Sequence, residues 1–250
     1  MKALIDLHTH TISSGHAFST LKENIEECKE KGLLYYGVSD HAITMPGTAH
    51  PCYFRNFKIL NEKILGIKVL KGIEANIINI QGHIDVPEDV CKNLDYVIAS
   101  LHPPCITPKS KEENTLAIME TMKNPYVKII GHPDDDRFPL DLEPIVILAK
   151  KNNILLELNN SSFHPKSFRQ NAHKNAKELL NLCKKYNAKI ILGSDAHIFY
   201  EVGDFSNCFK LLEECNFPES LVVNFNEYEI KDFFINSKKN SKFYSKKQFT

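Results

Sequence analysis

Short apolar segments alternate with amphipathic segments along most of the chain, and this alternation restricts the possible folds more than any other feature. The apolar runs predict seven strands and a candidate eighth, at residues 2–8, 33–41, 67–75, 96–102, 127–133, 154–160, 189–197 and 221–225. Most are apolar almost throughout, as is typical of parallel strands buried on both faces. Alternating β and α units over 250 residues predict an α/β protein with a (β/α) barrel.

The segments between the strands carry helix start signals. Thr20-x-x-Glu23 and Ser110-x-x-Glu113 are capping boxes, and Asp141 is the expected N-cap of a further helix. We expect one domain over residues 1–236. Residues 237–250 are rich in Lys and Ser and are expected to form a solvated tail or a short final helix.

Composition and charge argue against several classes of protein. Lys and Arg number 31, as do Asp and Glu, so bulk charge gives no argument for a nucleic-acid or acidic-membrane partner. We expect neither a membrane span nor a signal peptide. Seven scattered cysteines without a Cys-x-x-Cys pair indicate reduced thiols in a cytoplasmic protein, and they argue against a thiolate zinc site. The sequence leaves the oligomeric state open.

Residue types that bind metal ions occur at the predicted strand ends. Two residues apart on a strand, His8 and His10 face the same side. Six of the seven strands end in such residues, and with His16 in the first loop they are His8, His10, His16, His41, Glu74, His102, His132, Asp195 and His197. A single histidine at a strand end is usually structural, but in a (β/α) barrel these ends share one rim. Agreement among six strands therefore predicts a metal centre.

The number and type of these residues indicate the metal content and the substrate. Nine protein ligands are too many for one zinc ion, and three ions with about three ligands each fit best. Nitrogen ligands favour Zn²⁺, with Mn²⁺ or Fe²⁺ as alternatives, over Ca²⁺ or Mg²⁺. Three divalent ions and two carboxylates leave a charge of about +4, which complements a dianionic phosphate ester.

Eight short motifs occur in order between residues 6 and 197: DLHTH, SGHAFST, SDHA, GIEANI, ASLHPP, GHP, LELNNSSF and LGSDAH. With GDF at residues 203–205, they resemble the PHP (polymerase and histidinol phosphatase) domain family over nearly the whole chain, and within it the small YcdX-type phosphatases. The resemblance implies the PHP fold, a distorted seven-stranded, TIM-like (β/α)7 barrel, with a trinuclear metal centre.

The resemblance also implies how the ligands divide among the ions. One ion takes His8, His10, Glu74 and Asp195, a second takes Glu74, His102 and His132, and a third takes His16, His41 and His197. A metal-bound hydroxide attacks phosphorus in such a centre. Asp6 and Asp40 precede ligating histidines and are expected to orient them.

Several residues outside this set also draw attention. Asp134–Asp136 depart from the family pattern; we interpret them as solvated loop carboxylates, with repulsion of highly phosphorylated substrates as the alternative. His164 is a candidate proton donor or substrate contact, and Asn159 is expected near the site without binding metal. Basic residues that follow strand ends and could bind phosphate are Arg55, Lys58, Arg137, Lys166 and Arg169.

These observations predict a metal-dependent phosphatase for a small phosphorylated substrate, without a nucleic-acid or membrane partner. Phosphodiesterase or nuclease activity and histidinol-phosphate phosphatase activity are alternatives, although no basic stripe supports a nuclease. A module for zinc buffering or sensing is the non-enzymatic alternative, but such sites are usually closed and rich in thiolates.

Overall fold

The computed structural model describes residues 1–236 and shows an α/β fold built on parallel strands. The tail predicted at residues 237–250 lies outside the described residues. The strands of this part are β1 (Ile5–Asp6), β2 (Tyr35–Val38), β3 (Lys63–Ile64), β4 (Ile67–Lys71), β5 (Glu74–Asn76), β6 (Val97–Ser100), β7 (Val127–Ile130), β8 (Leu155–Asn159) and β9 (Ile190–Gly193).

The helices follow the predicted alternation. They are α1 (Leu21–Glu30), α2 (Pro51–Arg55), α3 (Glu88–Cys91), α4 (Lys111–Thr121), α5 (Leu142–Asn152), α6 (Ala172–Tyr186), α7 (Ser206–Glu214) and α8 (Glu227–Lys231). Both predicted capping boxes are confirmed, at the starts of α1 and α4. Asp141 is the N-cap of α5 as expected, but its side chain makes no capping hydrogen bond.

The strands form two sheets that meet through single bridges. The first has the order β1-β2-β4-β3, with only β3 antiparallel to its neighbour, and the second has the order β5-β6-β7-β8-β9 with all strands parallel. One parallel bridge joins His41 to Glu74, and another joins Thr9 to Ala196. The first bridge joins the segment after β2 to the start of β5, and the second joins the segments that follow β1 and β9, so both connect the two sheets.

Two of the predicted strands differ from the structure. Residues 67–75 form two strands, β4 and β5, one in each sheet. The Tyr96 ring fills the space beside Gly72, so the chain passes this ring between the two strands. Residues 221–225 form 3-10 turns instead of a strand, because the side-chain amide of Asn224 makes the hydrogen bonds to Ile5 and Leu192 that a strand backbone would make.

A small apolar cluster joins buried side chains from both sheets. Seven strands each contribute one buried side chain to it: Ile5, Tyr35, Leu70, Ile98, Ile129, Leu155 and Ile191. Tyr96 belongs to this cluster, and Phe233 and Phe234 pack against it from the C-terminal segment. The larger apolar cluster contains buried side chains from both helices and strands. Both clusters are apolar, so the polar candidate ligands lie outside them, near the ends of the strands.

Two further predictions concern the cysteines and the membrane. The cysteines were predicted to be reduced thiols, and all seven are free. Within residues 1–236, no helix combines the length and the apolar character that a bilayer span requires.

The close contact between Gly72 and the Tyr96 ring gives a test of the fold. We expect Gly72→Ala to lower the free energy of unfolding by about 2 kcal/mol or more, because its new Cβ would overlap the buried Tyr96 ring. Urea denaturation measures this change. The neighbouring Lys71→Ala removes a half-buried side chain and should cost less than about 1 kcal/mol. Equal stabilities for the two variants would contradict this description of the β4–β5 junction.

Candidate metal centre

The predicted ligands lie together where the parallel strands end. His8 and His10 follow β1, His41 follows β2, and Glu74 opens β5. On the second sheet, His102 follows β6, His132 follows β7, and Asp195 and His197 follow β9. The strands thus deliver side chains from opposite sheets to one place.

One oxygen of Glu74 faces three imidazoles. Its Oε1 lies 3.2 Å from His8 Nε2, 3.3 Å from His102 Nε2 and 3.1 Å from His132 Nε2. All four side chains are buried. An arrangement of nitrogen atoms around one carboxylate oxygen is suited to a shared cation.

The second oxygen of Glu74 faces two further imidazoles. Its Oε2 lies 2.8 Å from His41 Nδ1 and 3.4 Å from His10 Nε2. Asp195 Oδ1 approaches the same region, at 3.2 Å from His10 Nε2 and 3.5 Å from His8 Nε2. Glu74 therefore lies between two groups of imidazoles, as a bridging carboxylate does.

The remaining histidines form the outer edge of the centre. The ring centroid of His16 lies 5.0 Å from that of His41 and 4.8 Å from that of His197. The ring centroid of His10 lies 4.3 Å from those of both His41 and His197. His16 therefore lies beside the other histidines, although it is the most exposed of the nine candidates.

Three sets of ligand atoms within residues 1–236 are close enough to hold an ion. Each set has its atoms within 4.8 Å of one another: His8 with His10 and Glu74, His41 with Glu74 and His102, and His10 with His41 and His197. The first set matches three of the four ligands expected for the first ion. In the other two, His41 and His10 take part in a different combination from the one that the resemblance implies.

The donor atoms in this centre fit divalent ions. Four of them are buried without a hydrogen-bond partner in residues 1–236: His8 Nε2, His10 Nε2, His41 Nδ1 and Glu74 Oε2. Unpartnered buried polar atoms are costly, and coordination to a cation would satisfy all four. The residues present therefore suit metal ions.

The charge states of Glu74 and His10 also suit metal ions. Burial raises the pKa of Glu74, but the facing His8, His41 and His102 outweigh this and hold it well below its usual range. Burial and the neighbouring His197 and His41 lower the pKa of His10 well below its usual value. An ionised carboxylate and a neutral imidazole are the forms that bind metal.

Residues behind the histidines fix which ring nitrogen faces Glu74. His8 Nδ1 lies 2.6 Å from Glu157 Oε1, and His102 Nδ1 lies 2.8 Å from Asn76 Oδ1. An Nδ1–H that donates to such an oxygen leaves Nε2 free as a ligand. Glu157 Oε2 also accepts from the backbone N–H of His132, so one buried carboxylate positions two candidate ligands.

The sequence contains a signal for the role of Glu157. Its carboxylate lies within the apolar strand β8, where an ionisable residue needs a partner. Asn76 shows the same pattern in β5. Their partners could not be assigned, because they lie on other strands.

Asp40 and Asp6 contact different parts of the site: Asp40 reaches a histidine ring through a serine, and Asp6 contacts backbone N–H groups. Asp40 Oδ1 accepts from the Ser14 hydroxyl at 2.7 Å, and Ser14 Oγ lies 3.0 Å from His10 Nδ1. Asp40 therefore contacts His10 through Ser14, and its predicted role in orienting the adjacent His41 stays a prediction. Asp6 instead accepts from the backbone N–H groups of His8, Ser194 and Gly203, so it positions the main chain around the ligands.

Arg169 contacts the metal centre through Asp195. Its NH2 group donates to Asp195 Oδ2 at 2.8 Å, and its NH1 group donates to Asn159 Oδ1 at 2.9 Å. Asn159 Nδ2 also donates to Asp195 Oδ2. These two donors hold one oxygen of Asp195 and leave Oδ1 facing His8 and His10. Asn159 therefore lies beside the centre through its contact with a candidate ligand, as expected.

The interpretation of Asp134 and Asp135 as solvated loop carboxylates was wrong. Their exposed fractions are 1% and 5%, because partners from a later loop cover them. Ser162 donates to Asp134 Oδ1, and Arg137 and the Gln170 N–H group donate to Asp135. Burial raises the pKa of Asp134 to about 7. Neither carboxylate is available at the rim to repel a substrate.

Of the other basic residues, two are engaged by carboxylates away from the histidines. Arg55 pairs with Asp89 on the surface, and Arg137 pairs with Asp135. Lys166 is exposed, and its backbone N–H donates to His164 Nδ1. Within residues 1–236, His164 is exposed and makes no hydrogen bond to the nine candidate ligands, so its predicted role in catalysis stays a prediction.

Comparison with known proteins identifies the relatives of this chain. The sequence matches the PHP domain family over residues 6–247. A probable phosphatase of Clostridium novyi (strain NT) is 46% identical over 230 residues, covering 92% of this chain and 93% of the relative. A probable phosphatase of Acetivibrio thermocellus is 44% identical over 233 residues, covering 91% and 95% respectively.

Solved structures with a similar fold include histidinol phosphatases. The enzyme of Lactococcus lactis, complexed with zinc, L-histidinol and phosphate, has a TM-score of 0.61 at 20% identity, covering 87% of this chain and 95% of that chain. The corresponding putative enzyme of Listeria monocytogenes has a TM-score of 0.56 at 18% identity, covering 81% and 99%. These similarities show a shared fold.

The contact between Glu157 and His8 predicts an effect on metal affinity. Glu157→Gln should weaken metal binding by about 10- to 100-fold, because the neutral amide holds the His8 Nδ1–H less strongly. Titration with a competing chelator measures the affinity. Glu143→Gln makes the same chemical change at an exposed surface pair and should leave the affinity unchanged. Unaltered affinity in the Glu157 variant would contradict its positioning role.

The buried Asp134 predicts a pH-dependent stability. Since its pKa is about 7 when folded and about 4 when unfolded, the folded chain holds an extra proton between these values. This contribution falls as pH rises through that window and is absent above it. In metal-free protein, Asp134→Asn should therefore gain stability relative to wild type by a few kcal/mol between pH 5 and pH 8, measured by urea denaturation.

Ser162→Ala provides the reciprocal measurement for Asp134. Its hydroxyl stabilises the ionised carboxylate, so removing it should extend the fall in stability to higher pH. If the free energies of unfolding of wild type and Asp134→Asn differed by a constant amount between pH 5 and pH 8, the pKa of Asp134 would not be raised, and the prediction would be wrong.

Proposed function

Because the chain belongs to the PHP domain family, we propose that it is a metal-dependent phosphatase that hydrolyses a small phosphomonoester at a trinuclear centre. The observation that carries this proposal is the buried Glu74 carboxylate, whose two oxygens face five imidazoles within 3.4 Å. The names of the relatives support the reaction class, since the curated relatives reported above are probable phosphatases.

Three ions account for the number of candidate ligands better than one or two. The three sets of close ligand atoms and the nearby His16 support this number. The predominance of imidazole nitrogen favours Zn²⁺, with Mn²⁺ or Fe²⁺ as alternatives, and zinc accompanies the Lactococcus enzyme of similar fold. When bound, such ions supply an activated water and Lewis-acid stabilisation of phosphoryl oxygens.

The protein's own residues prepare the site for this chemistry. Neutral His10 keeps its Nε2 lone pair available, since its Nδ1–H can donate to Ser14 Oγ while the Ser14 hydroxyl donates to Asp40. Glu74 and Asp195 supply negative charge that only partly offsets the ions. The site therefore attracts a phosphate dianion and places it beside the imidazoles.

We also infer a closed seven-stranded barrel of the PHP type. The bridges between His41 and Glu74 and between Thr9 and Ala196 support closure on both sides. The apolar cluster with one side chain from each of seven strands supports an enclosed interior. Closure explains why ligands from both sheets meet, because a barrel has one carboxyl-end rim.

Partners and location follow from the same proposal. A small phosphorylated molecule is the proposed substrate, and the Lactococcus enzyme of similar fold is complexed with L-histidinol and phosphate. We infer a cytoplasmic location from the seven free cysteines. A zinc-buffering or sensing module is a less suitable function, because His16 and His197 leave one edge of the centre open to solvent.

Hydrolysis of p-nitrophenyl phosphate tests the proposal. Metal-loaded protein should release p-nitrophenol, and a chelator should abolish this until the metal is restored. Glu74→Gln should lower kcat/KM by more than about 100-fold, because the central carboxylate loses its charge. His83→Ala, an exposed change outside the centre, should retain full activity.

Two results would contradict the proposal. Full metal loading without turnover of any ester in a panel of phosphomonoesters and phosphodiesters would favour the metal-binding module. Turnover of diesters alone would replace the phosphomonoesterase with a phosphodiesterase.

A further inference from the structure

The metal centre is open to solvent at one edge. His16 is exposed and the His197 side chain is 29% exposed, whereas the other seven candidate ligands are buried. A substrate whose phosphate reaches the centre must therefore keep its organic group beside His16 and His197. The loops around these two histidines determine what that group contacts.

Three loops form this edge, and none of them carries a charged side chain. Residues 11–19, 42–50 and 196–200 contain no Asp, Glu, Lys or Arg, in a chain that is 25% charged. We name these three loops the apolar wall. Asp85 accepts from the Thr44 N–H and Lys31 donates to the Tyr200 carbonyl, but the loops themselves offer no charge to pair with a second phosphate, a carboxylate or an ammonium group.

Two hydrogen bonds and one close backbone contact join the three loops into one surface. The Phe18 N–H donates to the His197 carbonyl at 2.7 Å, and the Phe199 N–H donates to Ser19 Oγ at 2.6 Å. Gly15 lies directly against the backbone of Gly47, where a Cβ would overlap it. The wall is therefore continuous along the open edge.

Large apolar side chains project from this surface into solvent. Their exposed fractions are 59% for Ile12, 77% for Phe18, 49% for Ile43, 40% for Phe199 and 57% for Tyr200. Ile12, Phe18, Ile43 and Phe199 each follow a candidate metal ligand by two residues. Grouped exposed apolar residues beside a polar site are characteristic of ligand-binding surfaces.

We propose that the apolar wall binds an uncharged, apolar organic group, such as an aryl or arylalkyl group, of the phosphomonoester substrate. The proposal rests on the phosphatase function proposed above and specifies its substrate class. The metal centre takes the phosphate, and the aromatic side chains of the wall cover the organic group. Sugar phosphates, bisphosphates and cationic amino-alcohol phosphates lack this match.

Paired substrates with similar leaving groups test the preference. 2-Phenylethyl phosphate and glycerol 1-phosphate are both esters of primary alcohols, so their intrinsic reactivities are close. With the metal-loaded full chain, we expect kcat/KM to be about tenfold higher for the phenylethyl ester. The double variant Phe18→Ala/Phe199→Ala should lose most of this preference through a higher KM and retain its activity on glycerol 1-phosphate.

Tyr228→Ala is the matched control, because it removes an aromatic side chain that is 74% exposed on α8, away from the wall. It should leave both substrates unaffected. Equal kcat/KM values for the two esters in wild type, or equal losses for both esters in the double variant, would overturn the proposal.

Direct binding separates this proposal from the phosphatase function. Calorimetry with 2-phenylethylphosphonate and methylphosphonate needs no turnover, and the wall predicts tighter binding of the former in wild type alone. Selective binding without hydrolysis of either ester would support the wall and refute the phosphatase. Equal binding of both phosphonates would overturn the wall even if hydrolysis occurs.

Sedimentation of the wild type and the double variant tests whether a second copy of the chain covers the apolar wall instead of the substrate. A dimer in wild type that the double variant loses would show that a second copy of the chain covers these side chains, and it would overturn the proposal. A wild-type chain that sediments like the double variant leaves the wall free for the substrate and supports it.

Discussion

The buried carboxylate of Glu74 is the group on which the rest of the site depends. It is fully buried and ionised, and five imidazole nitrogens face it within 3.4 Å. An isolated buried charge is very costly, and the facing imidazoles offset it only where they carry a proton, which blocks metal binding. Divalent cations between Glu74 and these nitrogens would provide the missing charge. The chain therefore tolerates this carboxylate because the fold brings metal ligands to it from both sheets.

Pairing between strands sets the orientation of the ligands. His8 and His102 each have their Nδ1 beside an oxygen of a residue on another strand, Glu157 on β8 and Asn76 on β5. A shift of one residue in either strand would turn these side chains to the opposite face. The sheet thus fixes which ring nitrogen faces Glu74. Folding of the sheet and formation of the metal centre depend on the same register.

The sequence identifies the candidate ligands because their chemistry and their position agree. Histidines at the ends of apolar runs, such as His102 and His132, are of a type that binds metal, and the parallel topology brings them together where the strands end. Ser14 and Glu157 were not assigned their roles, because these depend on contacts between segments distant in sequence. The same reason explains the error at Asp134. A run of acidic residues predicts a solvated loop, but Ser162 and Arg169 come from another loop and leave it buried.

The two sides of the candidate metal centre differ in the charged groups that surround them. Around Asp195, the guanidinium of Arg169 donates to Asp195, Asn159 and Ser162, and the Ser162 hydroxyl donates to the buried Asp134. Beside His16 and His197, the loops carry no charged side chains and expose aromatic rings. Ion pairs and hydrogen bonds hold the side chains on this side in place, although Asp134 Oδ2 is buried without a hydrogen-bond partner in residues 1–236. The opposite side leaves its apolar surface without a partner within the described part of the chain, and this is the side at which a ligand gains most from binding.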